Sequence, residues 1–75
     1  MLNIGEQIIQ LRKQLNISQS KLAEKAEVSR AIIEKYERNE NSPSIEVLLK
    51  IAKVFNVSVD FLIGEGHFLV LIKMY

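Results

Sequence analysis

Two serines eleven positions apart, Ser18 and Ser29, constrain this chain more than any other feature. A serine oxygen accepts a hydrogen bond from one of the backbone N–H groups that a first helical turn leaves unpaired, so each serine is a good helix start. Residues 18–39, SQSKLAEKAEVSRAIIEKYERN, therefore hold two short helices rather than one long rod. In the first, Leu22, Ala23 and Ala26 recur at three- and four-residue spacings and form one apolar face; in the second, Ile32, Ile33 and Tyr36 form another. Only Glu27-Val28 links them, too short a connection for the helices to lie side by side. They must cross steeply, with the small Ala23 permitting close approach and Val28 plugging the corner.

The flanking sequence supplies a body on which this corner can sit. Asn3 followed by Glu6 fits a capping box for a first helix that runs to about Leu15. Ile4, Ile8, Leu11 and Leu15 fall on its core stripe, Ile9 lies off it in a second row, and Glu6, Gln10, Lys13 and Gln14 point outward. Ile17, just ahead of Ser18, is placed as an apolar staple. Pro43 and Ser44 open a fourth helix with Glu46 in its first turn, where the helix dipole favours a negative charge. Its wide apolar face is Val47, Leu48, Ile51, Ala52 and Phe55, with Lys50 and Lys53 expected in solvent. Asn56 ends it, and Ser58 starts a short fifth helix in which Phe61 and Leu62 are expected to be buried. Gly64 and Gly66 close the helical part.

Size and composition narrow the function. Seventy-five residues make one domain, small enough that its core contributes only about a few kcal/mol of net stability unaided. Hydrophobic residues are 48% of the chain, a surplus that suggests a surface covered by another subunit. There are no cysteines, so no disulfide framework or thiolate metal site is available, and an intracellular, cytoplasmic location fits. Ten Lys and Arg against nine Asp and Glu leave a formal charge of +1, too little for wrapping nucleic acid by charge alone. Placement matters more: Lys21, Lys25, Arg30, Lys35 and Arg38 are interleaved with Glu24, Glu27, Glu34 and Glu37 in the two-helix segment. No secretory leader and no membrane span are expected. With no glycine-rich phosphate loop, no metal constellation and no nucleophile beside a histidine, neither enzymatic activity nor a cofactor or small-molecule ligand is expected. His67, the only histidine, is read as a surface residue.

The steep two-helix corner is helix-turn-helix geometry, in which the second helix is held where it can enter a DNA major groove. The run Gln19, Ala23, Val28-Ser29, Ile33 and Glu37 resembles the helix-turn-helix of the Cro and lambda-repressor family, the XRE-type regulators. The resemblance continues through Asn41-Ser42-Pro43-Ser44, Leu48-Leu49-Lys50-Ile51-Ala52 and Val57-Ser58-Val59-Asp60-Phe61-Leu62, and covers about residues 4 to 64. One position departs from the family pattern: the turn residue, usually glycine, is Glu27, and a side chain at positive φ costs roughly 1 kcal/mol.

The resemblance implies an all-α, five-helix lambda-repressor-like DNA-binding domain over residues 1–64, with its helix-turn-helix at about 18–38. It implies base contacts from Ser29, Arg30, Ala31 and Lys35, and backbone-phosphate contacts from Gln19, Arg38, Asn39 and Asn41. It also implies a structural ion pair between Arg12 and Glu37. The chemistry is consistent: arginine donates two bonds to a guanine edge, lysine approaches the same edge, and alanine touches a thymine methyl. Glu34 either accepts from a cytosine amine or balances Lys35 and Arg38, the second being preferred. Ile32 either meets thymine methyls or lies half-covered.

Residues 65–75 fall outside the resemblance. The run from His67 to Tyr75 is almost wholly apolar and suits a strand better than a membrane span. It is expected to be buried in a homodimer, as a strand pairing across the two-fold, with Phe61, Phe68, Val70 and Ile72 in the contact. A sixth helix folded back on its own monomer, or a tail left by truncation, are alternatives. The expected function is a homodimeric, sequence-specific double-stranded-DNA-binding transcriptional regulator, a repressor, on a roughly palindromic operator. The competing reading is an antitoxin-like or protein-interaction module whose apolar tail binds a partner protein.

Overall fold

Five serine or asparagine side chains start five helices in a computed structural model of the chain, which describes residues 3–63. The helices are α1 (Ile4–Leu15), α2 (Gln19–Ala26), α3 (Arg30–Glu37), α4 (Ile45–Phe55) and α5 (Val59–Leu62). Asn3, Ser18, Ser29, Ser44 and Ser58 are the N-caps, each accepting from a backbone N–H three residues on. At α1 the box is complete: Asn3 Oδ1 accepts from the Glu6 amide at 2.9 Å, and Glu6 Oε1 accepts from the Asn3 amide at 3.2 Å. α1, α2 and α4 each end on a left-handed residue, Asn16, Glu27 and Asn56. Asparagine tolerates that conformation better than most side chains; glutamate has no such advantage. There is no strand among the described residues.

α2 packs on α3 and α4, while α1 packs on α3, α4 and α5. Their shared core is Ile8, Leu11, Leu22, Ala23, Ala26, Ile33, Tyr36, Leu48, Ile51, Ala52, Phe55 and Leu62, with Ile17, Val28, Ile32 and Val47 packed against it. Ile8, Leu22, Ile33, Ile51 and Leu62 are fully enclosed. A domain of this size is held mainly by such apolar burial.

Three expectations need correction. Leu15 is 49% exposed instead of core, because it is the last residue of α1 and lies at the rim of the packed face. Phe61 is 46% exposed: a four-residue helix buries one face only, and Leu62 occupies it. Lys50 is not free in solvent; it is half-buried, and its Nζ lies 2.9 Å from Glu27 Oε1. The anticipated strand in 67–75, with Phe68, Val70 and Ile72, lies outside the described residues.

Two close contacts had no sequence-level expectation. Gly5 is buried where α1 meets the end of α3, and a Cβ there would stand 2.7 Å from the Tyr36 carbonyl oxygen and 2.8 Å from that of Glu37. Gln7 Nε2 donates to the Phe61 carbonyl at 2.8 Å, tying α1 to α5.

Candidate nucleic-acid interface

The corner between α2 and α3 forms as the residue pattern requires. Glu27 takes φ 61°, its amide donates back to Ala23 and Glu24 carbonyls, and the Val28 amide donates to the Ala23 carbonyl at 3.0 Å. Val28 is half-buried against the core beneath the turn. The turn residue is held from outside as well. Its hydrogen bond and charge interaction with Lys50 lower the Glu27 carboxyl below its ordinary value and raise the Lys50 ammonium above its own. Lys50 thus anchors to α4 a turn that has no glycine.

α3 then has two unlike faces. Ile33 at 0% and Tyr36 at 5% exposure plug inward, and burial pushes the Tyr36 hydroxyl above its usual range. Ser29, Arg30, Ala31 and Lys35 are exposed. Ile32 is half-buried against the core, which decides for partial cover at that position. Ser29 Oγ is already committed, accepting from the Ile32 amide at 3.1 Å. Glu34 pairs with neither Lys35 nor Arg38; its Oε2 lies 3.3 Å from Arg30 Nη2, one turn earlier. The i,i+4 spacing of Arg30 and Glu34 favours that pair over the expected balance with Lys35 and Arg38.

A three-residue polar assembly fixes α2 and α3 relative to α1. Arg12 Nε donates to Glu37 Oε2 at 2.7 Å and Arg12 Nη2 to Glu37 Oε1 at 3.2 Å, while Arg12 Nη1 donates to the Ile17 carbonyl at 3.2 Å. Gln19 Nε2 donates to the same Glu37 Oε1 at 3.0 Å. Both partners of the ion pair are mostly covered, with side-chain exposures of 18% and 6%. Gln19 is therefore braced by the end of α3. The Lys21 amide is taken by the Ser18 cap at 3.0 Å, which leaves the first-turn amides of α2 ahead of it available.

Beside this assembly lies an open hollow of about 630 Å³ lined by Arg12, Ser18, Gln19, Ser20 and Arg30. The Arg30 guanidinium and the positive end of α2 meet there beside Arg12, whose charge is already paired with Glu37, chemistry suited to a phosphate. Arg12, Ser18 and Ser20 had no place among the expected DNA contacts; Ser18 and Ser20 flank Gln19 in sequence, and Arg12 reaches it through Glu37.

The loop after α3 is less uniform than expected. Asn39, at φ 61°, donates from Nδ2 to Asn3 Oδ1 at 3.2 Å, so its side chain joins the loop to the start of α1. Asn41 Oδ1 accepts from the Ser42 amide at 3.1 Å, and Arg38 Nη1 stands 4.0 Å from Glu40 Oε2. Lys21 likewise meets Glu24 at 3.4 Å. The interleaved acids thus offset much of the local positive charge. Among the described residues no cluster of metal-binding side chains occurs, and no helix is long and apolar enough to cross a membrane.

An all-helical domain with a projecting helix after a tight turn is a lambda-repressor-like helix-turn-helix domain. The chain belongs to that family, the XRE-type DNA-binding transcriptional regulators, which are not enzymes: the family described as helix-turn-helix matches residues 8–62. Over 65 residues it is 45% identical to the HTH-type transcriptional regulator SinR of Bacillus subtilis (strain 168), covering 85% of this chain and 59% of SinR. This chain therefore spans less than two thirds of that relative's length. Among solved structures it is similar to the P22 c2 repressor in complex with a synthetic operator, with a TM-score of 0.82 and 35% identity over 87% of this chain and 98% of that one. It is also similar to the N-terminal DNA-binding domain of SinR from Bacillus subtilis, with a TM-score of 0.77 and 45% identity over 85% and 94% of the two chains.

Proposed function

We propose that the chain is a sequence-specific double-stranded-DNA-binding repressor acting as a homodimer on a roughly palindromic operator, in the cytoplasm. The observation that carries this reading is the division of α3: Ile33 and Tyr36 are sealed inward while Ser29, Arg30, Ala31 and Lys35 face solvent, Arg30 beside the α2 N-terminus. The exposed four would meet base edges, with Arg30 donating to a guanine and Ala31 touching a thymine methyl. Gln19, braced on Glu37, and the first-turn amides of α2 would hold a phosphate and fix the register. Arg38 and Asn41 would lie along the backbone, and Asn39 would add its main chain there, since its amide group is turned to Asn3.

A single subunit reaches only a few base pairs. Two subunits on one duplex make the second contact intramolecular and raise affinity without new chemistry. Their α3 helices would enter successive major grooves about 34 Å apart. Exposed Phe61 on α5 supports a subunit contact in that region, and the apolar sequence of residues 65–75 would extend it. Occupying a promoter in this way blocks polymerase.

Selecting bound duplexes from a random pool tests binding, palindromy and spacing together. The expected product is an inverted repeat whose half-site centres lie about one helical turn apart. A pool that stays random, with the chain instead held in a stable complex with another protein, would favour the partner-binding module.

A further inference from the structure

We infer that Glu34 is a positioning residue that sets sequence discrimination, by tethering the Arg30 guanidinium on the reading face and keeping it from the phosphate-type hollow next to it. The inference rests on the DNA-binding reading above. Arg30 stands between two destinations. On one side is Glu34, one helical turn along α3, with Oε2 3.3 Å from Arg30 Nη2. On the other is the hollow bounded by Arg12, Ser18, Gln19 and Ser20, which Arg30 itself lines. Arg12 is spoken for by Glu37, but the hollow still opens on the positive end of α2, where an anion is favoured. A DNA phosphate seated there would attract any arginine free to turn toward it.

The two destinations have opposite consequences for recognition. A guanidinium on a phosphate binds all sequences alike, and each such contact makes binding steeper in salt. A guanidinium held along the groove-facing side of α3 is left with donors for a base edge, where one good contact discriminates a base pair. Arg30 is 60% exposed, and among the described residues Glu34 is the one ion-pair partner of its long side chain. The 32% exposure of Glu34 shows the acid to be the better anchored partner. Its charge also offsets one positive charge on the reading face, which lowers affinity for sequences that offer Arg30 no acceptor. Glu34 thus acts through Arg30 and need not touch a base.

The test compares wild type, Glu34→Gln, Arg30→Ala and the double variant on the duplex selected by wild type and on a scrambled duplex, across a range of salt. Circular dichroism confirms that each variant is folded. Glu34→Gln is expected to bind the scrambled duplex several-fold more tightly and to lose about tenfold of its preference for the selected one, the size of a single base pair's contribution. Its salt dependence should steepen by about 0.9 in log–log slope, the signature of one added phosphate contact. In the Arg30→Ala background the same change removes only a negative charge, so it should raise affinity for both duplexes alike and leave the preference between them unmoved. Unchanged slope and preference in Glu34→Gln would overturn the inference, as would a change in preference that persists without Arg30, because Glu34 would then be reading a base itself. If wild type shows no preference for any duplex, the DNA-reading assignment fails first, and the result is distinguishable from failure of the tether alone.

Discussion

Glu37 serves three neighbours at once: both its oxygens take Arg12 donors, and one also takes the Gln19 amide. Because the pair is mostly covered, removing one partner strands the other in a poorly solvated place, at a cost of about 3 kcal/mol. Glu37→Ala should lower the urea midpoint accordingly, and a change within experimental error would mean that Arg12 finds water. Gly5 makes a different point about single residues. Its missing side chain lets α1 approach the Tyr36 and Glu37 carbonyls, two backbone groups that cannot swing aside. Gly5→Ala should therefore push α1 off α3 and cost about 1–3 kcal/mol in thermal or urea unfolding. An alanine that leaves stability intact would show that the contact is loose.

Among the elements, the α2–α3 turn carries an internal conflict. Glu27 pays a backbone penalty at φ 61° and recovers part of it through Lys50. Its carboxyl is depressed below 4.5, so the stabilisation from the pair is fully present above that pH and is lost as pH falls through the lower folded value. Glu27→Gly removes the strain and the pair together. The variant should differ little from wild type at pH 7 and gain on it as the Glu27 carboxylate is protonated in acid, as measured by unfolding midpoints from pH 7 downward. A difference that stays constant with pH would remove Lys50 from the account. The helix starts were legible because a cap is local: Asn3, Ser18, Ser29, Ser44 and Ser58 each act on a neighbour three residues away. The two faces of α3 were legible by periodicity for the same reason. The Glu27–Lys50 and Asn3–Asn39 contacts were not, since each joins residues brought together only after the helices pack. Gly5 was silent too, because a close approach leaves no mark on a glycine's own sequence context.

At the scale of the whole molecule, the described domain keeps several large apolar groups in solvent: Leu15, Ile45, Leu49 and Phe61. The assembly proposed from Phe61 and residues 65–75 predicts a dimer in sedimentation that shifts toward monomer on Phe61→Ser or on deletion of 67–75. An unchanged mass in both would separate DNA binding from that contact. The central claim, that α3 reads sequence while α2 grips the backbone, is tested most directly by comparing Arg30→Ala and Gln19→Ala on the selected duplex and on its single-base-pair variants. Arg30→Ala should lose about 1–3 kcal/mol on the selected duplex and erase the preference at one base pair, whereas Gln19→Ala should weaken every duplex by a similar factor. Equal weakening of all duplexes by both changes would contradict the account.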